Sequence, residues 1–339
     1  MCIRDRFNET HDDIHLTISS PNEAMTILKT RFIREDYPDI IAIGGDINYS
    51  NFLDADLFDD ISDLDEVQTV KQAYLDMDKE LEFIPKDGTY ALPYVANAAG
   101  ILYNKDLFEQ AGITEEPKTW DEFKDVCQKL KDAGITPMTM DDAYATCVIG
   151  YHLARLVGED KVKEIVTEGE WDDPAVLQMA QDIEELASNG YYSEMVGSNV
   201  WPAGQNTELA LGTAAMYLNG SWLPNEVKEM AGPDFHWGCF AYPALTDGAN
   251  GIETNNFGAQ VFGINKDTKL AKEAFDLITF LTKGEYDQKL ADETVGIPAD
   301  TTNTEWPAMV ECAKPVIEQS TNRFTLSLIH ISEPTRLRC

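Results

Sequence analysis

The feature that most limits the fold is the alternation of helical and strand patterns along the chain. Residues 22–36 place apolar side chains at helical spacing before Pro38, and residues 40–43 form a continuous apolar run that ends in Gly44-Gly45-Asp46. Such a run is typical of a strand buried on both faces of a parallel sheet. The same order recurs downstream, and it predicts an α/β protein whose parallel sheets are covered by helices.

Cap residues and local patterns place further elements. Thr119 and Glu122 form a capping box that opens a helix ending near Gly134, and Asp173-Pro174 opens another that ends at Asn189-Gly190. We predict additional strands at residues 14–19, 90–94, 100–104, 214–218 and 261–264. We predict additional helical segments at residues 54–66, 67–81, 105–111 and 270–282.

Charge and length exclude several classes of protein. The 339 residues include 60 acids and 26 bases, which gives a formal net charge of −34. A surface this negative repels phosphate backbones and anionic lipid, so we expect no nucleic-acid partner. Hydrophobic residues make up 43% of the chain, enough for about two domains with cores of their own, and no apolar run is long enough to cross a bilayer.

The two ends of the chain differ from the rest. Residues 1–6 (MCIRDR) and 327–339 (SLIHISEPTRLRC) resemble translated sequencing-adapter sequence, and we expect them to be non-native and outside the folded body. Of the cysteines between them, Cys127 lies on a helical apolar stripe and is expected to be a buried thiol. The spacing of the others leaves a disulfide open.

The motifs of several enzyme and metal classes are missing from the sequence. It contains no HExxH, CxxC pair, GxSxG, Walker loop or GxGxxG. Asp76-x-Asp78-x-Glu80 resembles the start of a calcium loop, but Leu81 stands where the loop needs glycine. We therefore predict no catalytic constellation, no metal site and no cofactor.

Aromatic and amide side chains stand instead in the loops that follow the predicted strands. Ligands of open α/β sheets bind at the carboxyl ends of strands. A flat ring can cover the apolar C–H face of a sugar, and amides or carboxylates can pair with its hydroxyl groups. Any one of these rings could equally be a core or loop anchor. The candidates are Tyr94, Asn97, Asp141, Tyr144, Trp201, Trp222, Asn255 and Asn256.

Several stretches in a fixed order resemble the extracellular solute-binding proteins, family 1, which serve ATP-binding-cassette (ABC) sugar importers. They cover most of the chain from residue 12 to residue 315. The stretches are YPDIIAIGGD (37–46), GTYALPYVANAAGILYNKDLFEQAGI (88–113), PKTWDEF (117–123), LGTAAMYLNGSW (211–222), AKEAFDLITFLTKGEYDQKLA (271–291) and GIPA (296–299).

The resemblance implies a two-lobed, periplasmic-binding-protein-like fold of type II, similar to that of maltose-binding protein, with a mainly parallel sheet flanked by helices in each lobe. Lobe one would comprise residues 7–104 and 256–300, and lobe two residues 105–255 and 301–326. The family's opening strand and closing helices have no counterpart here, so we expect the chain to be truncated at both ends. In the family, the lobes close on a ligand held in the cleft between them.

Matched position by position, the resemblance assigns four of the family's ligand contacts to this chain. Asp46 corresponds to the acidic residue that holds sugar hydroxyls, and Trp222 to the stacking aromatic. Tyr144 stands where an aromatic or polar contact is usual, and Asn97 stands in the polar stretch that faces the cleft. The tryptophan that some members carry just before Asp46 is replaced by Ile43-Gly44-Gly45.

The function implied is capture of a mono- or oligosaccharide, without chemistry, and its delivery to the permease of an ABC importer. The chain would act as a monomer on the extracellular face of the membrane or in the periplasm, held by a lipid anchor in the full-length protein. Two alternatives remain open from the sequence. One is a glycan hydrolase that uses a pair of carboxylates, and the other is a sugar-sensing receptor partner.

Overall fold

The computed structural model of the chain describes residues 3–12, 14–21, 24–45, 47–72, 75–76, 79, 86–142, 144–200, 203–320 and 322–324. No helix within these ranges has both the length and the apolar character that a membrane span requires. Residues 327–339 lie outside the described part of the chain. Residues 3–6 begin the first helix, and their expected non-native origin stays a prediction.

Helices and strands are interspersed along the chain, partly in alternation, as the sequence predicts, and partly in runs of helices. The helices are α1 (Ile3–Thr10), α2 (Ala24–Ile33), α3 (Ile47–Asp54), α4 (Lys105–Gln110), α5 (Trp120–Asp132), α6 (Ala145–Val157), α7 (Glu159–Glu168), α8 (Pro174–Ser188), α9 (Ala203–Ala210), α10 (Leu223–Ala231), α11 (Ala271–Thr282), α12 (Gly284–Thr294) and α13 (Lys314–Glu318). The strands are β1 (Ile40–Gly44), β2 (Leu92–Asn104), β3 (Thr136–Met138), β4 (Ala214–Gly220), β5 (Trp237–Phe240), β6 (Thr254–Ile264) and β7 (Asn322–Phe324). Short 3-10 helices cover Asp65–Thr69 and Glu311–Ala313.

The chain divides into two compact units. Unit 1 comprises Met1–Ala96, Ala259–Glu293 and Pro298–Glu305, and unit 2 comprises Asn97–Gly258, Thr294–Ile297 and Trp306–Cys339. Strands β2 and β6 each contribute residues to both units, because the boundaries fall within them. The lobe bounds expected from the sequence stay a prediction.

Unit 1 is built around the pairing of β1 with β6. The two strands are antiparallel, in a register that runs from Ile40 opposite Ile264 to Gly44 opposite Gln260. The alternate residues Ile41 and Ile43 are buried and pack in one cluster with Val261 and with aromatic side chains of the segment that follows. The apolar run predicted a strand buried on both faces of a parallel sheet, and that prediction was wrong. Ala42 is exposed and the pairing is antiparallel, so β1 buries one face only.

Unit 2 is built around β4, in which every residue is buried. Strand β4 pairs antiparallel with β2, from Ala99 opposite Gly220 to Tyr103 opposite Met216, and parallel with β3. Helix α5 covers this sheet with one apolar face, and Thr119 and Glu122 form the expected capping box at its start. Cys127 on that face is a buried free thiol, as predicted, and Cys147, Cys239 and Cys312 are also free.

The strand directions differ from the expected mainly parallel sheet in each lobe. The described ladders are mixed rather than mainly parallel: β1 with β6, β2 with β4 and β2 with β5 are antiparallel, whereas β3 with β4 and β6 with β7 are parallel. The reason lies in β2 and β6, the strands that contribute to both units. Each runs antiparallel to a strand that belongs to one unit alone, so the alternation of helices and strands does not fix the direction of every pair.

Three local predictions were also wrong. Residues 14–19 form no strand, since no described strand pairs with them and their alternation alone cannot hold an extended segment. The α-helix predicted at residues 54–66 does not form. Helix α3 ends at Asp54, the residue at which the predicted helix would begin. Asp60 accepts a hydrogen bond from the backbone N–H of Ser62 at 3.0 Å, a local turn that competes with a helix. The strands predicted at 90–94 and 100–104 are one continuous strand, β2.

Candidate functional site

The end of β4 in unit 2 places an aromatic side chain at a helix start. After Gly220, the backbone N–H of Ser221 donates to the carbonyl of Ala98 at 2.8 Å, which ties the turn to β2. Trp222 is the N-cap residue of α10, and Pro224 occupies the first turn of that helix, where a missing N–H is tolerated. The indole of Trp222 is half-buried. The sequence pattern therefore puts a large ring where the strand gives way to the helix.

Asp141 anchors the polar surroundings of this ring. Its Oδ1 accepts a hydrogen bond from the backbone N–H of Tyr144 at 2.8 Å, and its Oδ2 accepts one from the hydroxyl of Tyr217. Asp141 is 2% exposed, so both oxygens are used inside unit 2 and neither faces solvent. This argues against direct contact between the Asp141 carboxylate and a ligand, and gives Asp141 the task of holding Tyr144.

Tyr144 lies between Asp141 and the indole of Trp222. Its ring packs edge-on against that of Tyr217, with ring centroids 5.5 Å apart. Burial raises the pKa of the Tyr144 hydroxyl, with smaller effects from Cys147, Glu226 and Asp141, and a hydrogen bond from Trp222 offsets part of the rise. The hydroxyl therefore stays protonated at neutral pH and can donate a hydrogen bond.

Helices α9 and α10 add a second polar group beside Trp222. Asn206 Nδ2 donates to Glu226 Oε2 at 3.1 Å, and Glu226 follows Trp222 by four residues, one helical turn along α10. Loss of water around the carboxyl raises the pKa of Glu226, and the bond from Asn206 lowers it in part. Within the described residues, Gln205 Oε1 and Asn219 Nδ2 are buried without a hydrogen-bond partner. Both side chains are enclosed in unit 2, with Gln205 0% and Asn219 1% exposed.

The asparagines predicted on β2 and β6 also belong to unit 2, with different roles. Asn97 and Asn256 are half-buried, and the backbone N–H of Asn256 donates to the hydroxyl of Tyr151 at 3.0 Å. Asn255 is fully buried, and its Nδ2 donates to the carbonyl of Ile252 at 2.7 Å and to Ser320 Oγ at 2.8 Å. This burial argues against ligand contact at Asn255 and indicates a structural role.

The remaining predicted residues are Tyr94, in unit 1, and two that the structure does not describe. Tyr94 belongs to unit 1, where its ring stacks on Phe262 with centroids 3.9 Å apart, and burial raises the pKa of its hydroxyl to about 12. Asp46 and Trp201 lie outside the described residues. The cluster that the structure assembles from the sequence candidates is therefore Asp141, Tyr144 and Trp222.

Three neighbours of this cluster were not found from the sequence. Tyr217 stands inside an apolar strand, where a tyrosine is usually a core residue, and nothing in the pattern marks its hydroxyl as the partner of Asp141. Gly220 is an ordinary end-of-strand glycine in the sequence. Glu226 could have been found, because its spacing of four residues from Trp222 places both on one side of α10.

Comparison with known proteins agrees with this architecture. The family described as bacterial extracellular solute-binding protein matches residues 3–288. Solved structures of RafE, one with raffinose and one of the apo form from Streptococcus pneumoniae, have TM-scores of 0.79 and 0.78 at 24% identity. They align over 97% of this chain and over 86% and 84% of their own chains. At this identity the likeness shows the fold, which is the two-lobed α/β fold expected above.

Two curated relatives are more similar to this chain in sequence than the RafE structures are. The multiple sugar-binding protein of Streptococcus mutans is 28% identical over 299 residues, which cover 84% of this chain and 68% of that protein. The diacetylchitobiose binding protein NgcE of Streptomyces coelicolor is 28% identical over 242 residues, which cover 65% of this chain and 49% of that protein. The chain thus spans from about half to two thirds of the length of these relatives. Since the family match extends over most of its length, the chain belongs to the bacterial extracellular solute-binding proteins.

Proposed function

We propose that this chain captures a mono- or oligosaccharide outside the cell and delivers it to the permease of an ABC importer. The observation that carries the proposal is the half-buried indole of Trp222 at the end of β4, beside the Tyr144 hydroxyl. The names of the curated relatives, multiple sugar-binding protein and diacetylchitobiose binding protein, support a saccharide as the ligand.

The surroundings of Trp222 suit recognition of a sugar. The apolar face of a pyranose can lie on the indole, and the Tyr144 hydroxyl can bond one of its hydroxyl groups. We keep Asn97, Asn256 and Tyr94 as further candidate contacts, together with Asp46 and Trp201. Asp141 supports the site from behind, and Asn255 is left out because it is buried.

The same geometry favours binding over chemistry. A hydrolase of the kind weighed above needs two carboxyl groups, one to donate a proton and one to attack or activate water. Of the two carboxyl groups described beside Trp222, that of Asp141 is buried and accepts hydrogen bonds at both oxygens, so it is placed to hold Tyr144. Glu226 is then left without the second carboxyl group that a hydrolase requires. We therefore propose that the ligand is released unchanged.

The setting of the protein follows from its family. Members are extracellular solute-binding proteins, and we propose that this one works on the outer face of the membrane or in the periplasm, as a lipid-anchored monomer in its full-length form. The permease is the proposed protein partner. The net charge of −34 argues against a nucleic acid in that role. A sensing role would use the same site with a receptor as partner.

Titration calorimetry against a panel of neutral sugars that includes raffinose and N,N′-diacetylchitobiose tests the proposal. We expect at least one panel member to bind, and Trp222→Ala to weaken that binding by about tenfold or more. Stacking on an aromatic face is worth roughly 1–3 kcal/mol in nucleic-acid systems, and about 1.4 kcal/mol is tenfold in affinity.

Trp171→Ala is the matched control, because Trp171 is 41% exposed and lies between α7 and α8, a segment that contributes no residue to the cluster. We expect it to bind sugar like the wild type. Recovery of every sugar intact after incubation would separate binding from hydrolysis. The proposal is wrong if no sugar binds, if the products are cleaved, or if Trp222→Ala leaves the affinity unchanged while lowering the melting temperature, as loss of a core anchor would.

A further inference from the structure

Gly220, the last residue of β4, is a glycine that the backbone does not require. Its φ lies outside the left-handed region that favours glycine. It pairs with Ala99 within the regular ladder between β2 and β4, a position that a residue with a side chain ordinarily occupies. Glycine in a strand weakens it, and it often marks a place where another group approaches the backbone closely.

The group that approaches Gly220 is the indole of Trp222. A Cβ atom added to Gly220 would lie closer than 3.0 Å to Cε3, Cζ3 and Cη2 of that ring, a separation that real Cβ atoms essentially never show. The six-membered ring of the indole therefore lies directly over the α-carbon of Gly220, where a side chain would otherwise project.

The chain on either side leaves the ring little freedom to move elsewhere. Ser221 is tied to Ala98 by two hydrogen bonds, its N–H donating at 2.8 Å and its Oγ accepting at 3.3 Å. The carbonyl of Trp222 accepts from the N–H of Asn225 at 3.0 Å in the first turn of α10. Because the backbone is held before and after the ring, a methyl group at position 220 would have to displace the indole itself.

We propose that Gly220 is a positioning residue for ligand binding: the missing side chain lets the indole of Trp222 lie across the end of β4, with one edge on the backbone and the rest of the ring presented to a sugar. The inference rests on the proposed function for its binding readout. The ring geometry itself can be tested without any ligand.

The test compares Gly220→Ala with Gly197→Ala. Gly197 is the matched control, because it lies in the same unit, has no positive φ, and has open space where its Cβ would stand. Raffinose and N,N′-diacetylchitobiose are titrated into each variant, together with the neutral sugar of the panel that binds the wild type best. We expect Gly220→Ala to weaken binding by about tenfold, the loss expected for removing the ring, and Gly197→Ala to bind like the wild type.

A double-mutant cycle separates positioning from a general loss of structure. If Gly220 acts through the indole, Gly220→Ala has little further effect on affinity once Trp222→Ala is present. Equal losses in both backgrounds, or no loss in either, would overturn the proposal. If Gly220→Ala alone fails to fold, recovery of folding in the double variant would show the same steric coupling, and failure of both would contradict it.

Acrylamide quenching of tryptophan fluorescence supplies the readout that needs no sugar. The contribution of Trp222 is obtained by subtracting the spectrum of the corresponding Trp222→Ala protein. We expect this contribution to be quenched more readily in Gly220→Ala than in the wild type or Gly197→Ala, and an unchanged contribution would refute the steric argument. If the wild type binds no sugar, but Gly220→Ala still makes Trp222 easier to quench, the proposed function is rejected. The positioning of the ring by Gly220 is then established independently of any ligand.

Discussion

Asp141 is the residue on which the local order of the site depends. Its carboxylate is buried, and it joins two elements by accepting from the backbone of Tyr144, at the start of α6, and from the hydroxyl of Tyr217, in β4. A buried carboxylate is costly unless its oxygens are hydrogen-bonded. The hydroxyl of Tyr217 therefore stabilises the buried Asp141 carboxylate, and the carboxylate in turn holds the backbone of Tyr144.

The variant Tyr217→Phe tests this dependence. We expect the free energy of unfolding to fall by about 1–3 kcal/mol, because one oxygen of a buried carboxylate loses its partner. Tyr191→Phe is the control, since the Tyr191 hydroxyl donates to the neutral amide of Gln128 at 3.0 Å and its loss should cost only about 0.5–1.5 kcal/mol. Urea denaturation of the two variants measures both values. Equal losses would show that the charge of Asp141 adds nothing to the bond.

Single residues also show which parts of the site could be predicted from the sequence. Trp222 and Tyr144 were predicted as site residues because aromatic and polar side chains stood in loops at predicted strand ends, and the family resemblance assigned a ligand contact to both. The structure brings the two side chains together. Asp141 and Asn255 were selected by the same rule, yet their polar atoms point into unit 2. A sequence states which residues follow a strand. The direction of a side chain depends on partners, such as Tyr217 and Ser320, that lie far away along the chain.

At the scale of the element, local chemistry predicted the helices best. The capping box of α5 forms as expected, with Glu122 Oε2 accepting from the N–H of Thr119 at 3.0 Å and Thr119 Oγ1 accepting from the N–H of Glu122 at 3.3 Å. Strands were harder to predict, because a strand needs a partner that the local pattern does not name. The alternating residues 14–19 lack one and form no strand, whereas β2 continues through residues that looked like a break.

The cap of α5 gives the prediction for this scale. Thr119→Ala should lower the free energy of unfolding by about 1 kcal/mol, since the N–H of Glu122 loses its acceptor and the box is broken. Thr167→Ala, in the last turn of α7, is the control. Its hydroxyl donates to the carbonyl of Lys163, which already lies in the helix, so we expect a change within about 0.5 kcal/mol. Denaturant titration measures both variants, and equal effects would mean that the cap contributes nothing.

At the scale of the whole molecule, the fold was recognised from ordered stretches of sequence rather than built from its elements. Alternating helices and strands predicted an α/β protein, and the family confirms its two-lobed fold. The directions of the strands could not be predicted from the alternation of helices and strands. The boundaries of the units fall within β2 and β6, and no local pattern marks the residue at which a continuous strand passes from one core to another.

The net charge of the molecule leads to the last prediction. Each of the 26 bases can neutralise one of the 60 acids, so 34 negative charges have no cation on the chain to balance them. Ion pairs on the surface, such as Lys161 with Glu170 at 2.9 Å, are worth about 0–1 kcal/mol each, and salt weakens them. Repulsion among the excess acids acts over a longer range and opposes the compact state, and salt weakens it as well.

The two effects of salt have opposite signs, and the excess of acids decides between them. Raising sodium chloride from about 0.01 M to 0.15 M shortens the screening length from about 30 Å to about 8 Å, which removes mainly the long-range repulsion. We therefore expect the melting temperature of the ligand-free protein to rise over this range at pH 7, as measured by calorimetry or circular dichroism. The Trp171→Ala variant, which changes no charge, should show the same rise. A melting temperature that falls as salt is added would mean that local ion pairs outweigh the repulsion, and that the excess acids are spread too widely to act on one another.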